Sequence, residues 1–378
     1  MKTKEVFLHC PSCKQTYNLE KARWRCDCGN YLLLQGDFEF NVEDIIKEDN
    51  SFYRYKATLP FLKEAVSIGE AITPLTKTTI DERVCELKLD YLLPTGSYKD
   101  RGVSVMISVL KHWGLDKIVE DSSGNAGSAV AAYSSKAKID CDVYIPSYTS
   151  SGKAAQIELY GANLVKVDGS REDTANQAFN AGEKSFYASH NWSPFFEHGV
   201  KTYIYEIWEQ RNYTLPDFII VPCGNGSLVT SAYIAFNEMI QNNLIKKLPK
   251  IIAVQSENCA PLARAFNKNL KEPVKVKKTS TLAEGISSAS PLKGKEILKA
   301  VYETKGLFVT VSDKEVWESL KKLAKQGVFI EPTSATATAA FTKLVEDKTI
   351  RNNDSVVIHL TGHGLKAVDK VLELVDKS

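Results

Sequence analysis

Leu93-Pro94-Thr95-Gly96-Ser97-Tyr98-Lys99-Asp100-Arg101-Gly102 joins an apolar run to a helical pattern. The strand-like Val84–Leu89 precedes it, and the apolar-periodic Val103–Leu110 follows. The run is therefore a strand–turn–helix junction with Lys99 near a helix N-terminus. There the positive end of the helix dipole disfavours a protonated ammonium, and a lysine amine without its proton is what Schiff-base chemistry uses. A solvated lysine in a surface turn is the ordinary alternative. The weight comes from what accompanies it.

Outward from this junction, short apolar runs alternate with helical patterns. Strands are expected at Val84–Leu89, Asp142–Ile145, Asn163–Val167, Asp217–Val221, Ile251–Gln255, Leu307–Val311 and Ser355–Leu360. Helices are expected at Ser128–Lys136, Gly152–Tyr160, Ser227–Ile240, Lys314–Lys325 and Ser334–Val345. Continuous apolar strands interleaved with helices indicate an α/β architecture with largely parallel sheets. A chain of 378 residues is long enough for two lobes.

Three further strand ends carry ligand-binding chemistry. Asp121-Ser122-Ser123-Gly124-Asn125-Ala126-Gly127-Ser128 places small residues before a helix, where backbone amides receive an anion such as a carboxylate. A plain N-cap turn explains that run equally well. Val221-Pro222-Cys223-Gly224-Asn225-Gly226-Ser227-Leu228 ends a strand in a glycine loop. Successive amides there form a nest for phosphate, and the run lacks the lysine of a nucleotide P-loop. His359-Leu360-Thr361-Gly362-His363-Gly364-Leu365-Lys366 ends the last buried strand, and strand ends are where open α/β sheets bind ligands. Glu331-Pro332-Thr333-Ser334-Ala335 is a similar junction whose hydroxyls could simply cap a helix.

In this order the motifs resemble the fold type II pyridoxal-phosphate (PLP) enzymes, the family of threonine synthase, threonine and serine dehydratases and cysteine synthase. The Pro-Thr-Gly-Ser-Tyr-Lys-Asp-Arg-Gly, Ser-Ser-Gly-Asn, Glu-Pro-Thr-Ser-Ala and Thr-Gly-His-Gly-Leu-Lys runs are most similar to the threonine synthase branch, over Val84 to Lys366. The resemblance implies a two-lobed fold like the tryptophan synthase β chain, with open twisted sheets in three layers. It implies a large PLP-binding domain over 41–105 and 200–378, a small α/β domain over 106–199, and a homodimer. Lys99 would form the Schiff base and move protons on the substrate. Asn125 would bind the 3′-oxygen of the cofactor. Gly224, Asn225, Gly226, Ser227 and Leu228 would cradle its phosphate, and Thr361 would meet the pyridine nitrogen. Ser122, Ser123, Gly124 and Asn125 would hold the carboxylate of an amino-acid substrate. The implied reaction turns O-phosphohomoserine and water into threonine and phosphate; the alternative is β-elimination or β-replacement on serine, threonine or O-phosphoserine.

One departure bears on that choice. Many threonine synthases carry Asn-Ser-x-Asn-Pro-x-Arg, whose polar groups bind the substrate phosphate. Here the segment reads His190-Asn191-Trp192-Ser193-Pro194-Phe195-Phe196, with Phe196 at the arginine position. A phenyl ring cannot replace a bidentate guanidinium. Lys153, Arg171 and Lys201 are the cations available to stand in.

The N-terminal 1–40 segment reads separately. Cys10-x2-Cys13 and, twelve residues on, Cys26-x-Cys28-Gly29 resemble a zinc ribbon. Four thiolates can close a structural tetrahedral site; four reduced cysteines in a metal-free segment are the alternative. Cys85, Cys141, Cys223 and Cys259 are scattered as buried small hydrophobes are. With 48 basic and 46 acidic residues spread evenly, nucleic acid and membrane surfaces are poor partners. Without a signal-like apolar stretch near the start, a cytosolic location is the default expectation.

Overall fold

A computed structural model describes residues 6–60, 64–149 and 151–375, without the side chains of 151–153. The chain divides into two compact units, one built from 1–71 and 99–202, the other from 72–98 and 203–378. Among the described residues twelve strands run in chain order. They are β1 (Val6–His9), β2 (Thr16–Tyr17), β3 (Leu33–Gly36), β4 (Leu75–Ile80), β5 (Arg83–Leu89), β6 (Lys117–Glu120), β7 (Asp140–Pro146), β8 (Asn163–Val167), β9 (Phe218–Pro222), β10 (Lys250–Ser256), β11 (Leu307–Val311) and β12 (Val356–Leu360).

The unit of 72–98 and 203–378 is built on a six-stranded sheet in the order β11-β10-β9-β12-β5-β4. All neighbours are parallel except the β4–β5 hairpin at one edge. On one face Leu87, Ile220, Val254, Val309 and Ile358 pack with helices Asp313–Ala324 and Pro332–Glu346 into one apolar core. The alternate residues Ile219, Val221, Ile251, Ala253 and Val357 are buried as well, with helices Ser227–Gln241 and Gly294–Glu303 against β9 and β10. This helix–sheet–helix layering explains the continuous apolar strands, because both sheet faces need cover.

The other unit holds two smaller sheets. One is parallel, in the order β6-β7-β8, with Tyr187 bridged to Val119 beside it. The second, β2-β1-β3, is antiparallel and carries the four clustered cysteines in the loops between its strands. Trp24 ties this ribbon to the rest of its unit through edge contacts with Phe179, Tyr187 and Trp192. Trp113 adds to this by donating its indole N–H to the Leu19 carbonyl at 2.7 Å. No described helix is long and apolar enough to cross a membrane.

Candidate active site

Lys99 is the first residue of helix Lys99–His112, as the junction reading expects. The helix is buried on every side from Asp100 to Leu110, so neighbours approach it closely. Helix Pro194–Val200 crosses it where both carry glycine. A methyl group on Gly199 would stand 2.8 Å from the Gly102 Cα, and one on Gly102 would overlap the Phe196 ring. Phe196 is fully buried in this crossing, and the Lys99 ammonium sits 5.3 Å from its ring centre. Behind Phe196, 5.5 Å away, lies the His190 ring, whose Nδ1 is 3.0 Å from Glu120 Oε1.

Glu120 ends β6 with no exposure, and its second oxygen, Oε2, has no hydrogen-bond partner among the described residues. Burial first, then the neighbouring Asp121 carboxylate, pushes its carboxyl well above the usual range, against the pull of Arg171 and Lys99. Of the cations offered in place of an arginine at 196, Lys201 is fully buried, with its ammonium 3.0 Å from His198 Nδ1 and 4.2 Å above the Phe38 ring. Arg171 is engaged with Asp121 at 2.8 Å. Both cations are thus turned toward partners of their own. The Lys153 side chain lies outside the described residues.

The Ser122–Asn125 loop follows Asp121 directly. Its helix, Asn125–Ala137, begins three residues earlier than the sequence suggested, so Asn125 is its first residue and Gly124 its cap. Gly127 must be glycine, because a Cβ there would strike the Ser122 carbonyl. The loop thus lies flat on the first helical turn. Gly124 contributes no capping side chain, and first-turn amides in that state suit a carboxylate.

In the other unit, β9 and β12 are parallel neighbours, so the Gly224–Leu228 loop and Thr361 emerge side by side at their C-terminal ends. Gly226 takes φ +75° and a Cβ on it would run into Ile297. A Cβ on Gly224 would come within 2.7 Å of the Ile286 backbone. Asn225 Oδ1 accepts from the Ser288 hydroxyl at 2.8 Å. The helix that follows, Ser227–Gln241, is capped by Gly226 and so by no side chain. Two positions that only glycine can occupy, before an uncapped helix, form a cradle that fits a phosphate monoester.

Thr361 is buried, with its hydroxyl 2.8 Å from Ser334 Oγ and donating to Glu331 Oε1 at 3.2 Å. Ser334 also accepts the amides of Thr361 and Gly362, at 2.8 and 2.9 Å. It organises this turn, a role the helix-cap alternative did not anticipate.

The four clustered sulfurs, of Cys10, Cys13, Cys26 and Cys28, all lie within 4.8 Å of one another. Cys10 and Cys28 are 3.6 Å apart and Cys13 and Cys26 3.4 Å, with no disulfide among them. Tetrahedral zinc with Zn–S bonds of about 2.3 Å would set sulfurs roughly 3.8 Å apart. The cluster fits such an ion.

Comparison with known proteins agrees with this geometry. The profile of the pyridoxal-phosphate dependent enzyme family matches residues 66–362. Threonine synthase of Methanocaldococcus jannaschii is 33% identical, with 96% of this chain and 93% of that protein covered. Threonine synthase of Methanosarcina acetivorans is 29% identical, covering 98% and 94%. Among solved structures, a fungal L-serine ammonia-lyase from Rhizomucor miehei superposes with TM-score 0.73 at 20% identity, covering 83% of this chain and 99% of that one. Maize serine racemase gives 0.67 at 22%, covering 81% and 94%. The strand–helix rhythm, the glycine cradle and these matches place the chain in the pyridoxal-phosphate dependent enzymes of fold type II.

Proposed function

We propose that this lyase is of the threonine synthase kind, converting O-phosphohomoserine and water to threonine and phosphate, with Lys99 as its reactive amine. The observation that carries the proposal is the position of Lys99, opening a buried helix with its amine over Phe196. The choice of reaction is supported by relatives named threonine synthase along nearly the whole chain.

Lys99 would tether pyridoxal phosphate. Gly224, Asn225, Gly226, Ser227 and Leu228 would hold its phosphate, Asn125 its 3′-oxygen and Thr361 its ring nitrogen. When bound, the cofactor supplies a ring that draws electron density from the substrate carbon. The chain does the rest. Ser122, Ser123, Gly124 and the Asn125 amide orient the substrate carboxylate. Lys99 Nζ takes and returns protons at the substrate carbons. Thr361 offers the ring nitrogen a hydroxyl and not a carboxylate, which suits intermediates that promptly expel a leaving group. Cys10, Cys13, Cys26 and Cys28 would hold a structural zinc ion, and a cytosolic homodimer belongs to the same reading.

A second reading, elimination from unphosphorylated serine or threonine, is favoured by one observation. The wall beside Lys99 is an aromatic ring backed by the Glu120–His190 pair, and neither attracts a phosphate dianion. Purified protein should show the visible absorbance of a lysine-bound cofactor, and Lys99→Ala should lose that band; a colourless wild type overturns the central assignment. Phosphate release from phosphohomoserine with threonine as product supports the first reading. Ketoacid from serine or threonine without phosphate release supports the second.

A further inference from the structure

We infer that His359 is a positioning residue for the cofactor phosphate, acting through two tyrosines that grip the first turn of the glycine-loop helix. The inference rests on the reading that Gly224–Leu228 holds that phosphate.

His359 stands on β12 with no exposure, its Nε2 2.8 Å from Asp90 Oδ2, which is equally buried. The Tyr203 ring lies parallel to the imidazole, 4.7 Å away at 10°. The Tyr98 ring meets it edge-on at 5.9 Å. Both tyrosines then reach consecutive residues of the same helical turn. The Tyr98 hydroxyl is 3.0 Å from Ser227 Oγ, and the Tyr203 hydroxyl donates to the Leu228 carbonyl at 3.1 Å.

The imidazole is itself fixed from behind. The Thr73 hydroxyl lies 2.6 Å from Asp90 Oδ1 and 3.0 Å from Glu206 Oε1, and the Thr73 amide donates to the same Glu206 oxygen at 2.7 Å. Glu206 pairs with Lys88, which stands opposite His359 in the β12–β5 register.

The physical need for such a hub is local. Glycines at 224 and 226 let the backbone approach an anion but leave it loose before binding. A helix start without a capping side chain adds no rigidity of its own. Amides bind an anion tightly only when they are held in place beforehand. Buried charged contacts are weak contributors to stability, so a chain that keeps the Lys88–Glu206 pair and the His359–Asp90 contact beneath this loop gains chiefly in fixed geometry. Tyr98 also directly precedes Lys99 in the chain, so the same ring that steadies Ser227 anchors the residue beside the reactive amine.

The test compares pyridoxal phosphate with pyridoxal, which lacks the phosphate. The full-length chain, freed of cofactor by hydroxylamine and dialysis, is titrated with each while fluorescence and absorbance are followed. The ratio of the two affinities isolates the phosphate contribution. Tyr98→Phe and Tyr203→Phe keep the rings and remove one hydrogen bond each. Each should cut the ratio about threefold to tenfold, with pyridoxal affinity changed less than twofold. His359→Leu should cut it further, and His359→Gln, which keeps a polar side chain facing Asp90, should recover part of the loss.

A wild type that binds the two ligands equally would refute the loop assignment itself. A wild type that discriminates strongly, with both tyrosine variants keeping its ratio, would refute the role of His359. The tyrosine variants decide the matter even if the His359 variants do not fold.

Discussion

Replacing Gly102 by alanine probes the packing that sets the wall beside Lys99. In an ordinary exposed helix this change stabilises by about 1 kcal/mol. Here the new methyl group would overlap the Phe196 ring and stand 2.7 Å from the Phe196 carbonyl. Overpacking of that kind costs about 1–3 kcal/mol, so Gly102→Ala should destabilise. Phe196→Ala alone removes a fully buried ring and should cost about 3–5 kcal/mol. With both changes, the methyl enters the space the ring leaves and only the carbonyl approach persists. The double variant should therefore be more stable than the sum of the singles by at least about 1 kcal/mol. Urea unfolding of the four proteins by circular dichroism, with hydrogen exchange over helix Lys99–His112, measures the coupling. Costs that add to within about 0.5 kcal/mol, the behaviour of independent sites, would refute the reasoning. So would a Gly102→Ala protein more stable than wild type.

Other expectations follow from charges and thiols. Lys88→Met leaves the Glu206 carboxylate buried without its cation and should cost about 3–5 kcal/mol, whereas Lys88→Met with Glu206→Leu should lose far less; equal melting temperatures for the single and double variants contradict this. Purified protein should contain one zinc per chain. A strong chelator should shift tryptophan emission, because Trp24 packs on Phe179, Tyr187 and Trp192, and Cys13→Ser should lower metal content; zinc-free protein with an unchanged spectrum sinks this. Glu120 holds its proton more tightly folded than unfolded, because burial and Asp121 disfavour its charge. That contribution is complete below the ordinary carboxyl value of 4.5 and is lost as pH rises toward the folded value. Glu120→Gln should thus gain stability relative to wild type as pH rises from 5 to 8, and a constant difference across that range counts against the assignment.

The parallel strands of the six-stranded sheet were legible because both of its faces are buried. Asn163–Val167 and Leu307–Val311 fall where the apolar runs place them, and the other expected strands differ by a residue or two. β4 escaped notice for a physical reason. It is an edge strand with exposed Thr76, Lys77 and Thr79, and its hairpin turn uses Asp81 and Glu82 instead of glycine. Both residues take left-handed φ, +49° and +62°, the backbone of a tight hairpin turn that usually calls for Asn-Gly. Asp81 is held there by Lys322 and Thr342, far along the chain. The candidate site divides in the same way. Lys99, the glycine loop and Thr361 lie in local motifs whose composition announces them. Partners joined across long stretches of chain, such as Asp90 with His359 and Glu120 with His190, leave no mark in spacing. Lys201 shows the converse, since its place in a motif suggested a binding cation and its surroundings bury it.

The position of β12 has a consequence for how the protein is made. A ribosome releases the chain from its N-terminus, yet this strand, made after the other five of its sheet, belongs between β5 and β9 in the middle of it. Until Val356–Leu360 emerges, the β4–β5 hairpin and the β9-β10-β11 group each present an unpaired edge, that of Phe218–Pro222 wholly apolar. Such edges recruit other chains readily. Nascent protein should therefore depend on protection by chaperones until β12 has been made, and truncations that stop short of Val356 should collect in the insoluble fraction, even though most of the sheet is already present in them.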